Sequence, residues 1–269
     1  MKLIIFFTCF LSFNIKAQID HTFFVEFYST DIGVESVERF EYHIKDANSL
    51  VEQGEKILKT KSIFNKDGFL KERIWFNDGM PLLKTTYDYI GGRKISSIHS
   101  DIKTNKRIKK FDFVYDDNLF KVTQIKDDTI PVAEYFFNDN GEIEKTIGLK
   151  SSKVKEYNFD RGLKSVKSYN QILEKISYTL QEYDAEERLV VQKSHYKFLG
   201  DSRTNVTKYK YFDLDENEFI TQMFKNENLE KIYRKTIMRN DKGLIEKEYT
   251  DPLRSTSISV VEYAYTYYE

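Results

Sequence analysis

The sequence predicts an all-β protein, an antiparallel meander of about 16 to 18 strands built from hairpin repeats and curled into an open barrel or a superhelical sheet. Three observations predict this fold: a turn phrase that recurs along the chain, aromatic residues that alternate with charged ones beside it, and scarce helical periodicity. Aromatic residues make up 15% of the 269 residues, which indicates a packed protein in spite of 32% charged residues.

The turn phrase is clearest in FFNDNGEIEK at residues 136–145 and in MRNDKGLIEK at residues 238–247. The centres of successive copies are separated by 21 to 30 residues. A period of about 25 residues is typical of repeat architectures, so we expect one structural unit to recur along the chain. Weaker copies of the phrase occupy residues 63–72, 87–96, 114–122, 157–166, 182–191 and 211–220.

Each copy of the phrase is expected to form a β-hairpin. Phe111, Phe113 and Tyr115 alternate with Lys110 and Asp112. This alternation places rings on one face of a strand and charges on the other. Glycine after Asn, Asp, Lys or Arg tolerates the positive φ that a tight turn requires. The glycines that we assign to structural turns are Gly68, Gly91, Gly141, Gly162 and Gly243.

Residues 1–17 have the features of a secretory signal peptide. Lys2 precedes an apolar run, and Ala17 supplies the small residue expected at a cleavage site. The run is shorter than the roughly 20 residues that a membrane-spanning helix needs, so we expect no transmembrane helix. Cys9, the only cysteine, lies in this segment, which leaves no disulfide or thiolate site in the mature chain. The protein is therefore predicted to be exported, to the periplasm or the extracellular space.

The segments that flank the repeats are predicted less specifically. Residues 18–56 are expected to form N-terminal strands that cap the repeat region at residues 57–269 and continue into it as one domain. The stretch 47–61 fits either a short helix or a strand. The alternating tyrosines of VEYAYTYYE at the end of the sequence predict a final strand.

The phrase resembles the YD repeats of Rhs-type bacterial proteins, over residues 57 to 250 approximately. That repeat joins an aromatic residue and an Asp or Asn to a glycine and then to a Leu or Ile. The resemblance implies a curling β-sheet with carbohydrate-related or surface roles. The matching residues are Tyr87-Asp88, Tyr115-Asp116, Tyr183-Asp184, and the segments FNDNGEI and RNDKGLI.

The sequence offers no catalytic, cofactor-binding or metal-binding set of residues. His99, Ser100 and Asp101 contain the residue types of a catalytic triad, but neighbours on one strand face opposite sides and cannot assemble it. Asp213 and Asp215 alternate like the start of a calcium loop, yet that loop requires a glycine further on that is missing here. We therefore predict no catalytic residues, no cofactor and no metal.

The sequence favours a non-enzymatic exported scaffold or binding module whose ligand is a glycan or an envelope protein. Without residues 1–17 the chain has 40 basic and 43 acidic side chains, a balance that gives no reason to expect nucleic-acid binding. Trp75, the only tryptophan, is the residue predicted to contact a ligand, with a core position as its alternative. Two other functions stay open: a carboxylate-dependent hydrolase in a cleft of the sheet, and an immunity or antitoxin-type partner protein.

Overall fold

The regular structure of the chain is entirely β-strand over the residues that a computed structural model describes. These are residues 32–47, 50–151, 153–160, 163–170, 176–186, 188–198, 201–253 and 257–269. They form 19 strands of one sheet. The strands are β1 (Val34–Ala47), β2 (Leu50–Gln53), β3 (Ile57–Phe64), β4 (Leu70–Asn77), β5 (Met80–Ile90), β6 (Arg93–Asp101), β7 (Arg107–Asp116), β8 (Lys121–Lys126), β9 (Ile130–Phe137), β10 (Ile143–Gly148), β11 (Lys153–Asp160), β12 (Leu163–Asn170), β13 (Ile176–Tyr183), β14 (Leu189–Phe198), β15 (Asp201–Asp213), β16 (Glu218–Lys225), β17 (Asn228–Arg239), β18 (Ile245–Asp251) and β19 (Ser257–Tyr267).

The sheet is an antiparallel meander that closes on itself. Each strand from β3 to β18 pairs with the next strand along the chain, and β1 pairs with both β3 and β19. The predicted curled meander is confirmed, and the β1–β19 pairing closes it into a barrel. The predicted signal peptide at residues 1–17 lies outside the described residues.

Strands β2 and β3 share one position beside β1. Ile44 of β1 pairs with Gln53 of β2, and Phe40 of β1 pairs with Leu58 of β3. The 19 strands therefore fill 18 positions around the barrel. The sequence of residues 47–61 fits either a short helix or a strand. In the structure, the described part of that stretch is strand on both sides of a short interruption.

The repeated phrase forms every second connection of the meander, so its copies lie at one end of the barrel, which we call the phrase rim. In four of these turns an Asn or Asp begins a five-residue loop, and its side-chain oxygen accepts the backbone N–H four residues later. The glycines of three of these loops have φ between 77° and 83°. The recurring Asn or Asp and the recurring glycine are therefore the residue types that this turn requires. The four pairs are Asn65 with Phe69, Asn138 with Glu142, Asp184 with Arg188, and Asn240 with Leu244.

A tyrosine hydroxyl ties successive hairpins together near this rim. The tyrosine lies close to the end of a strand that leads to the phrase rim. Its hydroxyl donates to a backbone carbonyl at the start of an earlier strand, the one that follows the preceding phrase turn. Each such bond satisfies a buried hydroxyl and links two repeats. The four ties are Tyr89 to Leu70 (2.8 Å), Tyr115 to Lys94 (3.0 Å), Tyr211 to Leu189 (2.9 Å) and Tyr265 to Ile245 (2.7 Å).

The two faces of the barrel wall differ in chemistry. The aromatic face, defined by the rings of Trp75, Tyr87, Phe113, Tyr135 and Tyr263, also carries the two buried hydrophobic clusters. One cluster is centred on Phe113, Val122, Phe137 and Ile143, and the other on Val34, Val37, Phe64 and Leu70.

The opposite face, which we call the ion-pair face, carries lysines or arginines that pair with acids on the neighbouring strand. A pair of this kind recurs around the barrel wall. The pairs are Lys61–Glu38 (2.8 Å), Lys84–Glu72 (3.7 Å), Lys121–Glu134 (3.3 Å), Lys167–Glu156 (3.7 Å), Lys193–Glu182 (3.5 Å), Arg234–Glu218 (3.1 Å) and Lys247–Glu262 (3.7 Å).

Candidate functional site

A groove of about 310 Å³ crosses four adjacent strands of the aromatic face, β19, β1, β3 and β4. Because the wall is concave there and the barrel is closed, the aromatic face is the inner face. The groove is lined by Val37, Arg39, Thr60, Ser62, Arg73, Trp75 and Tyr263.

The strand register explains why these residues meet. Thr60 of β3 pairs with Arg39 of β1 on one side and with Trp75 of β4 on the other. Arg39 also pairs with Tyr263 of β19. Paired residues of antiparallel strands face the same side of a sheet, so these four side chains form one row across the groove. The Tyr263 side of the groove therefore depends on the pairing that closes the barrel.

A second row lies one step along the strands. Ser62 of β3 pairs with Val37 of β1 and with Arg73 of β4. The Nε atom of Arg73 donates to the Ser62 hydroxyl at 3.1 Å. The guanidinium carbon of Arg73 also lies 5.5 Å from the centre of the Trp75 ring. A cation and an indole therefore share one wall of the groove.

Trp75 lies in this lining, outside both hydrophobic clusters, with 40% of its surface exposed. The sequence singled out Trp75 for ligand contact, and this stays a prediction; the structure shows the ring partly exposed in the groove lining. An exposed indole offers a flat apolar surface with one N–H donor. Such a ring suits the C–H face of a sugar.

On the other side of the groove, Arg39 and Tyr263 each contact an acidic side chain. Arg39 forms an ion pair with Glu41, and the Tyr263 hydroxyl donates to Glu248 at 3.1 Å. Burial alone lowers the pKa of Arg39, but Glu41 and Tyr263 outweigh that effect and raise it. Burial and then the Glu248 carboxylate raise the pKa of Tyr263. Arg39 thus stays charged and Tyr263 stays neutral at physiological pH.

The groove can bind a ligand through three kinds of contact. Trp75 can stack on a ring, Arg39 and Arg73 can donate to a carboxylate, and the hydroxyls of Thr60 and Ser62 can exchange hydrogen bonds with sugar hydroxyls. The described residues that line the groove include no carboxylate. The lining residues thus supply hydrogen-bond donors, acceptors and a ring surface for a ligand.

The other sequence candidates lie elsewhere. Asp213 accepts from Arg188 at 2.7 Å, and Asp215 caps its own turn by accepting from the backbone N–H of Asn217 at 2.7 Å. Within the described ranges, no group of three or more His, Cys, Asp or Glu side chains is placed to hold a metal ion. His99 belongs to the inner face, where its Nδ1 lies 3.2 Å from the Thr85 hydroxyl.

The glycines assigned to turns lie between strands where the structure describes them. Gly68, Gly91, Gly141 and Gly243 have φ values of 83°, 57°, 81° and 77°. Gly162 lies outside the described residues. Over the part of the chain that the structure covers, no helix is long and apolar enough to span a membrane.

Sequence reasoning missed Arg39, Arg73 and Tyr263 as groove residues. Arg73 is two positions from Trp75, and that spacing on a strand places both on one face. This signal could have been used. Arg39 reaches the groove through the pairing of β1 with β3, and Tyr263 through the closure of the barrel. Neither residue carries a comparable local signal.

Comparisons with known proteins find distant structural likeness alone. No protein-family model matches the chain, and no curated protein matches it. Among solved structures, the chain is similar to a porin-like protein from Bacteroides uniformis, at 8% identity and a TM-score of 0.34, with 90% of this chain and 99% of that chain covered. It is also similar to TcdB2-TccC3, at 8% identity and a TM-score of 0.30, with 76% of this chain and 14% of that chain covered. Any function must therefore be inferred from the groove residues themselves.

Proposed function

We propose that the protein is an exported, non-enzymatic binding module that holds a glycan in the inner groove, with a sugar ring stacked on Trp75. The observation that carries this proposal is the exposed indole of the chain's only tryptophan, set in a concave groove beside two arginines and two hydroxyl side chains. Aromatic rings flanked by a few placed polar groups are typical of small-molecule sites.

The ion-pair face supports an aqueous location for the barrel, in the periplasm or outside the cell. A lysine or arginine that faces lipid at the bilayer midplane costs about 2–4 kcal/mol. The outer wall repeats such residues at Lys61, Lys84, Lys121 and Lys193, each beside an acid. The features of residues 1–17 supply the export part of the proposal.

The turn chemistry supports kinship with YD-repeat proteins, which we include in the proposal. The Asp or Asn of the phrase caps the turn, as in Asp184 and Asn240. The tyrosine of Tyr115-Asp116 ties one hairpin to the next. In the Tyr115-Asp116 unit the tyrosine ties two hairpins while Asp116 accepts backbone N–H groups of its own turn, which gives a physical reason for that pair of residues.

Intrinsic fluorescence tests the proposal directly, because Trp75 is the only tryptophan. Titration with a panel of neutral and acidic oligosaccharides is expected to shift or quench the emission for at least one member. Calorimetry should then show that Trp75→Ala weakens binding of that sugar by about tenfold or more, since stacking on an aromatic side chain contributes roughly 1–2 kcal/mol.

The matched control is Tyr196→Ala. Tyr196 is on the aromatic face, 46% exposed, and outside the groove lining. It should leave the affinity unchanged while removing a comparable exposed ring. The proposal is wrong if no sugar alters the emission up to millimolar concentration, or if both variants bind equally well.

A further inference from the structure

The inner face carries a second cluster of cationic and aromatic side chains next to the groove. Across β4, β5, β6 and β7 the register pairs Arg73 with Thr85, Thr85 with His99, and His99 with Lys109. The row that begins in the groove therefore continues across three more strands on the same face.

The side chains of this second cluster contact one another. The His99 ring meets the edge of Phe111, with their centres 5.6 Å apart. The Lys109 ammonium lies 5.3 Å from the centre of the same Phe111 ring. The His99 imidazole is held by the Thr85 hydroxyl at 3.2 Å. A ring with a cation beside it thus repeats the pairing of Trp75 with Arg73.

The local field at this cluster is positive. Burial lowers the pKa of His99, and the positive charges of Lys109 and Lys94 lower it further. The acid on the same face of β6 is Asp101, which accepts hydrogen bonds from the backbone N–H and hydroxyl of Thr104 at 2.8 Å each. An anion at this cluster would therefore meet the charges of Lys109 and Lys94, with the uncharged His99 as a hydrogen-bond partner.

The groove and the second cluster lie on different strands, so the distance between them runs perpendicular to the strands. Neighbouring strands lie about 4.8 Å apart, so three steps from Arg73 to Lys109 span roughly 14 Å. A short oligosaccharide laid across the strands covers this distance, and a single sugar does not. Two cationic positions at this separation match acidic groups on different units of one chain.

Resting on the proposed glycan binding, we propose that the ligand is an acidic oligosaccharide that crosses β4 to β7, with one carboxylate at Arg73 and another at Lys109 and His99. The rings of Trp75 and Phe111 stack on its sugars at the two positions. The ligand class is thus a polymer that contains uronic acid.

The test is calorimetry with galacturonate and mannuronate oligomers of one to four units, each beside its methyl ester. Affinity is expected to rise with length by about tenfold or more for at least one acid series, because a longer oligomer adds a second charge-assisted contact. The esters should bind more weakly, and the acid series should weaken with added salt.

Lys109→Met should remove the gain in affinity with length. Lys193→Met is the matched control, because Lys193 lies on the ion-pair face in a cross-strand pair. Thermal melting of both variants verifies that each is folded. Equal effects of the two substitutions would overturn the inference, and so would affinity that is independent of length.

The outcome separates this inference from the proposed function. If the esters or neutral oligomers bind as tightly as the acids and depend on Trp75, the glycan module stands and the acidic ligand is wrong. If neither the acids nor the esters bind in a Trp75-dependent way, the acidic ligand is wrong, and the glycan module fails as well only if the wider panel of neutral and acidic sugars also gives no Trp75-dependent binding.

Discussion

The aromatic face and the ion-pair face are built from the same strands, yet they stabilise the barrel in different ways. On the aromatic face, rings and aliphatic side chains such as Phe64 and Val122 are almost completely buried. On the ion-pair face, the charged groups stay partly exposed, as in the Lys61–Glu38 pair, whose side chains are 35% and 32% exposed. Burial of a large apolar side chain contributes about 1.5–3 kcal/mol, while an exposed ion pair contributes about 0–1 kcal/mol.

The two faces therefore contribute in different ways to the stability of a barrel that repeats one unit. The inner face carries both hydrophobic clusters, whose burial is a large favourable contribution to folding. The outer face supplies opposite charges on neighbouring strands, directly opposite in Lys61–Glu38 and diagonal in Lys84–Glu72. These pairs favour the native register and disfavour a shifted one. Substitutions on the two faces should therefore differ in size and in salt dependence.

The largest effect is expected from removing a buried ring. Phe64 is 1% exposed and belongs to the cluster with Val37 and Leu70. Phe64→Ala should lower the free energy of unfolding by about 3–5 kcal/mol, because it leaves a cavity among packed side chains. Urea denaturation measures the change. Phe212→Ala is the control, since Phe212 is 47% exposed on the ion-pair face and should cost less than about 1 kcal/mol. Similar losses for both variants would contradict the assignment of the faces.

A smaller effect, with a pH signature, is expected at Lys94. Its side chain lies between rings on the inner face, 4.3 Å from the centre of Phe113 and 5.8 Å from that of Tyr87. Burial lowers the pKa of Lys94 to about 8. Between pH 8 and its unfolded value near 10.5, the unfolded chain holds more protons than the folded chain, so stability rises with pH.

Lys94→Met should remove this rise and stabilise the protein by about 1–3 kcal/mol below pH 8, since the rings offset part of the cost of the buried charge. Above pH 10 both proteins should lose stability. Burial raises the pKa of Tyr115 and Tyr211 to about 12, so the unfolded chain loses these protons first. Denaturation at several pH values between 7 and 11 provides the measurement. A wild-type profile that is flat from pH 8 to 10 would contradict the prediction.

The smallest effect is expected on the ion-pair face. Lys61→Met should change the free energy of unfolding by less than about 1 kcal/mol, and the change should shrink in high salt. A double-mutant cycle with Glu38→Gln isolates the energy of the pair. A coupling above about 2 kcal/mol would show that the outer face stabilises the barrel far more than exposed ion pairs do.

The hairpins and their turns could be predicted from sequence because both are local. Asn138 and Gly141 lie in one short segment, and their preferences select the turn with little help from the rest of the chain. Alternation of ring and charge likewise assigns residues such as Phe113 to one face. The sequence therefore contains the repeating unit and its length.

The closure of the sheet and the Tyr263 side of the groove could not be predicted, because they depend on contacts between distant residues. Nothing near Arg39 indicates that it will pair with Tyr263. Trp75 could be singled out as the only tryptophan, but its exposure depends on the curvature of the wall. Buried and exposed rings follow the same alternation, so periodicity alone does not separate Phe64 from Trp75.

The pairing of β1 with β19 also constrains when the molecule can fold. The Tyr42 hydroxyl donates to Glu262, a residue 220 positions further along the chain. Until β19 has been made, β1 and the latest strand both present unpaired edges that invite association with other chains. Contacts between such distant residues form slowly. Such a chain is protected from association if it stays unfolded during synthesis and folds only once β19 is available. Passage through a membrane before folding would impose this order.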